Sequence, residues 1–61
     1  MSHNLASKDK SERERVSVDL AAAGVAYKER LNMPVIPHEV ELQQPTALRE
    51  YFRERVLHYR Q

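Results

Sequence analysis

The 61 residues carry ten Lys or Arg against nine Asp or Glu, for a net charge of +1. That balance gives no general electrostatic pull toward DNA or an anionic membrane. There is room for one domain at most, and with no Cys there is neither a disulfide nor a Cys-based zinc site.

A chain near 60 residues buries only about 60% of its unfolded surface, so its stability is marginal. Small scaffolds of this kind lean on disulfides, metal or a partner, and here a partner is what remains. An apolar content of 41%, a charged content of 31% and a mean hydropathy of −0.74 suit a helical miniature with a well-solvated surface. No apolar run approaches the ~20 residues needed to cross a bilayer. Met1 to Lys10 is polar and lacks the hydrophobic stretch of a signal peptide. The cytoplasm is the expected location.

Residues 1–10 show little periodicity and are expected to form a mobile arm, leaving residues 11–61 as the folded domain. Ser11 and Glu14 have the spacing of a capping box. A first helix is predicted from about Glu12 to Leu31. It has two apolar faces. Val16, Leu20, Ala23, Tyr27 and Leu31 share one stripe, and Val18, Ala22 and Val25 lie roughly opposite, with Ala21 and Glu29 at the border. Gly24 costs up to roughly 1 kcal/mol in a helix interior. It marks either a close helix crossing within the chain or a place where a partner's backbone approaches.

Asn32 can adopt the left-handed conformation that stops a helix, and Pro34 prevents continuation. Met33-Pro34-Val35-Ile36 then reads as an apolar extended joint. Pro37 suits the first position of a short second helix reaching about Gln44, with Val40 facing inward and Ile36 a second candidate for the inward side. Pro45 ends that helix or opens the next. The third helix covers about Pro45 or Thr46 to Arg60, with Leu48, Tyr51, Phe52, Val56 and Tyr59 on one stripe and Leu57 opposite. There is no useful strand-like alternation. The predicted fold is all-α: a long first helix, a short second and a third around one core. The expected core joins Val16, Leu20, Tyr27 and Leu31 to Val40, Leu48, Phe52, Val56 and Tyr59.

The run from Val18 to Arg30, followed by Asn32-Met33-Pro34-Val35-Ile36, closely resembles the theta subunit of bacterial DNA polymerase III. It is similar also to a theta homologue carried by a bacteriophage. The resemblance resumes at Gln44-Pro45, at Leu48-Arg49 and at Phe52-Arg53-Glu54-Arg55. It covers roughly residues 12 to 60 and is weakest in the charged run from Lys8 to Arg15. Members of that family generally continue past the third helix with a polar tail, where this chain stops at Gln61. The resemblance implies a three-helix fold with no catalytic activity of its own. It also implies binding to epsilon, the proofreading 3′–5′ exonuclease subunit, and through epsilon a place beside the polymerising alpha subunit. The effect on epsilon would be mainly stabilisation.

The residues themselves supply no catalytic constellation, no cofactor motif and no metal pair. His3, His38 and His58 lack helical metal-ligand spacing to one another, and one glycine cannot make a phosphate loop. Arg49, Arg53 and Arg60 align along the third helix, and a nucleic-acid-binding regulator using that face is the alternative function. A generic helical adaptor is a third. Glu50 and Glu54 adjoin the arginines and are expected to pair with them, so direct nucleic-acid contact is not expected. The expected partner surface is Val18, Ala22 and Val25, with Glu29 below them and Asn32, Met33 and Pro34 at the joint. Small side chains permit close approach, and Met33 can fill an irregular pocket. In the competing arrangement this face packs on the third helix and the Leu20 stripe points outward.

Overall fold

A computed structural model describes residues 10–61. Helix α1 runs Lys10–Arg30, α2 runs Pro37–Leu42 and α3 runs Arg49–Arg60, with a single 3₁₀ turn at Thr46–Leu48 leading into α3. No strand occurs among the described residues. The three-helix architecture expected from periodicity is therefore the one present. Of the expected arm, residues 1–9 lie outside the described residues. Lys10 is already helical, so α1 begins ahead of Ser11 instead of being capped by it.

The joints follow from their sequence. Asn32 takes φ 58°, the left-handed conformation expected of it. The Met33 amide donates to the Lys28 carbonyl at 2.8 Å and the Asn32 amide to the Glu29 carbonyl at 3.1 Å. That pair of bonds is the Schellman closure of a helix end. Pro37 occupies the first turn of α2, where a missing amide proton costs nothing. The Glu39 amide donates to the Ile36 carbonyl at 3.0 Å. At the other end of α2, Arg49 donates to the Leu42 carbonyl at 3.0 Å and to the Gln44 carbonyl at 3.2 Å. The Gln44 side-chain amide reaches the Val40 carbonyl at 2.8 Å. A two-turn helix is held by the residue that begins α3.

The core is a seam between α1 and α3. Val18, Ala22, Val25, Phe52 and Val56 form the buried cluster, and Ala26 is buried beside it. Val35, Val40, Leu48, Tyr51 and Tyr59 are partly buried against that cluster. Arg15 stacks over Tyr51, Asp19 meets Arg55 and Tyr59, and Glu29 meets Arg60. Partner numbers thus rise together, so α1 and α3 run in the same direction. The joint and α2 return the chain between them.

The core stripe of α1 is the reverse of the expected one. Val16, Leu20, Tyr27 and Leu31, assigned to the core from sequence, are all exposed. Val40, Leu48, Phe52, Val56 and Tyr59 do face inward as expected. The physical reason is fit. Phe52 is the largest fully buried side chain, and the small residues of the α1 face it shares a cluster with, Val18, Ala22 and Val25, let α3 come close enough to bury the ring.

Candidate functional site

The structure separates the residues expected to meet a partner. Val18, Ala22 and Val25 are 1%, 0% and 2% exposed, so in this fold they belong to the core and are not a free surface. Small side chains permit close approach by any helix, and α3 supplies that helix from within the chain. Glu29 is half-buried and its carboxylate receives two bonds from Arg60, both 2.8 Å. Asn32, Met33 and Pro34 remain exposed at the end of α1.

What faces outward instead is the opposite stripe. Val16, Leu20, Tyr27 and Leu31 are 55%, 66%, 60% and 49% exposed. With Ala23 between them they repeat at spacings of four and three residues along α1. This is the pattern one helix presents to another. Met33 and Ile36, also exposed, follow at the helix end.

Polar contacts hold the orientation of α1. Asp19 accepts from Arg55 Nε at 2.5 Å and from Tyr59 Oη at 2.8 Å. The Arg55 guanidinium, then the Tyr59 hydroxyl, hold the Asp19 carboxyl below its usual range. Arg60 does the same to Glu29, and Glu29 in return raises Arg60. Arg30 donates to the Tyr59 carbonyl at 3.3 Å.

The arginine stripe of α3 is engaged within the fold. Arg49 closes the end of α2, Arg53 pairs with Glu41 at 3.1 Å and Arg60 pairs with Glu29. The partners are therefore Glu41 and Glu29, on other helices, and not the neighbouring Glu50 and Glu54. Among the described residues no group of three His, Asp or Glu is arranged to hold a metal ion. No described helix is long and apolar enough to cross a membrane.

Residues 2–61 match the family model for DNA polymerase III, theta subunit. The chain belongs to that family. Theta subunits of DNA polymerase III from Escherichia coli K12, Escherichia coli O157:H7 and Shigella flexneri are each 58% identical to it over 60 residues. Those matches span 98% of this chain and 79% of each relative. The family match reaches into residues 2–11, ahead of where the sequence resemblance was legible. This theta-family chain is thus a subunit of a DNA replication polymerase by descent, and it carries an exposed apolar stripe along α1.

The theta chain's outward stripe was expected inside because the small side chains of the Val18 face suit close approach by a partner. A better signal was present. Asp19 and Glu29 border the Val18–Val25 face, Arg55 and Arg60 border the Phe52–Val56 face, and the two acidic and two basic groups pair across the seam. Complementary charge borders mark an intramolecular seam more reliably than bulk does.

Proposed function

We propose that this chain is a non-catalytic accessory subunit that binds and stabilises the epsilon-type proofreading 3′–5′ exonuclease of the polymerase III core. Alpha is reached only through epsilon. The observation that carries the proposal is the stripe of Val16, Leu20, Tyr27 and Leu31, four large apolar side chains turned out from a subunit of a polymerase complex. Water is a poor neighbour for such a patch, and contiguous apolar surface marks sites of protein contact. Helix-in-groove binding reads anchors at this spacing. The binding face is accordingly the Leu20 stripe with Met33 and Pro34 at its end, in place of Val18, Ala22 and Val25. In supporting epsilon the chain acts by linkage: it binds the folded exonuclease and not the unfolded one, and so displaces the folding equilibrium.

Two substitutions test both the partner and the face. Leu20→Lys is expected to leave helicity and melting nearly unchanged and to abolish a shared size-exclusion peak with epsilon. Ala22→Arg is expected to unfold the isolated chain, because it buries an unpaired charge beside Phe52. Separate peaks for the unsubstituted chain and epsilon at micromolar concentrations would sink the partner assignment. A folded Leu20→Lys chain with full affinity would sink the face.

A further inference from the structure

We propose that Gly24 is a docking notch, over which an apolar side chain of the epsilon-type partner passes from the α1 stripe into a groove between α1 and α2. This rests on the function proposed above and goes further, because it assigns a position whose residue type the fold does not explain. Gly24 lies inside α1, among helical residues, without a positive φ. A Cβ built on it meets nothing within 4 Å. No turn and no helix crossing within the described chain therefore requires glycine there, although glycine weakens a helix interior relative to alanine.

The surroundings of Gly24 give the vacancy a use. Leu20, Tyr27 and Leu31 stand four residues before, three after and seven after it, so they border it on the helix surface. On the other side lies an open groove of about 280 Å³ floored by Val25, Val35 and Val40 and edged by Ala21 and Lys28. A side chain at position 24 would stand as a wall between stripe and groove. Without it the two are one surface. A single helix ridge is narrow against the roughly 800 Å² that a standard interface takes from each partner, on a chain whose whole surface is 4827 Å². The groove supplies the missing width.

Charge selects the occupant. Lys10, Arg13 and Lys28 share the flank of α1 that carries Gly24. In a pair of copies this positive edge would face itself across a two-fold axis, and the notch would face a notch. A different protein with an apolar anchor and an acidic border complements both features.

The test uses the full chain with the epsilon exonuclease subunit of Escherichia coli, with calorimetric titration for affinity and circular dichroism for folding. Gly24→Ala is expected to melt above the unsubstituted chain and yet bind more weakly. Gly24→Leu is expected to stay helical and to raise Kd by about tenfold or more, as overfilling a packed contact does. If Gly24→Leu stays folded and binds like the unsubstituted chain while Leu20→Lys does not bind, the notch is wrong and the partner right. If the unsubstituted chain does not bind, the proposed function falls and the notch with it. If the unsubstituted chain instead self-associates in sedimentation and Gly24→Leu abolishes that, the occupant is a second copy and the proposal is overturned.

Discussion

Asp19 joins the middle of α1 to α3 through one carboxylate that accepts from both Arg55 and Tyr59. Its carboxyl is held below the usual range first by Arg55 and then by Tyr59, and that of Glu29 by Arg60. The sign of the consequence follows from which state takes up protons first. In the unfolded chain these groups titrate near pH ~4, above their folded values. The stabilisation they give is therefore complete above that pH and is lost as the pH falls through the folded values. Asp19→Asn should lower stability at pH 7 and flatten the loss below pH ~4, so that variant and unsubstituted chain converge in acid. Urea melts at neutral pH and at several acidic values read this directly. Equal pH slopes for the two proteins would show that the Asp19 contacts do not couple to folding.

The elements were legible where local chemistry decides them and illegible where fit decides them. Asn32, Pro34 and Pro37 marked the end of α1 and the start of α2 because each fixes a backbone angle or removes a donor, whatever surrounds it. Helix 3 was equally clear, since Phe52 and Val56 had no rival face of comparable bulk. Helix 1 had two faces, and the choice between them depended on Phe52 needing small partners across the seam, which no property of α1 alone reveals. The arginine partners were missed for a related reason: Glu41 and Glu29 are close to Arg53 and Arg60 only after the chain returns. The left-handed stop gives an element-scale prediction. Asn32→Val should destabilise the chain by about 1–2 kcal/mol, the cost of holding a β-branched residue at positive φ, while Asn32→Gly should be tolerated. Thermal melts in which Val and Gly at this position behave alike would mean that the Schellman closure contributes little.

At the scale of the whole molecule, the fold is one seam of buried residues with a second apolar face left over. Five of the six buried core residues line up as Val18, Ala22, Val25, Phe52 and Val56. A core of that size leaves a domain of this length only marginally stable. The same α1 that holds this core exposes the stripe proposed for epsilon, so folding and binding are coupled through one helix. Linkage is reciprocal: whatever stability the chain lends to epsilon, epsilon lends by the same law to the chain. At a free epsilon concentration 100-fold above Kd the gain is about 2.7 kcal/mol. In a domain of this length each kcal/mol moves the melting temperature by roughly 4–8 °C. The chain's melting temperature should therefore rise by about 10–20 °C on saturation with epsilon, followed by hydrogen exchange at the α1 amides, which separates its signal from that of the partner. Leu20→Lys should remove the rise while leaving the free chain's melting in place. An α1 whose exchange protection does not change when epsilon is added in excess would show that this helix is not the bound element.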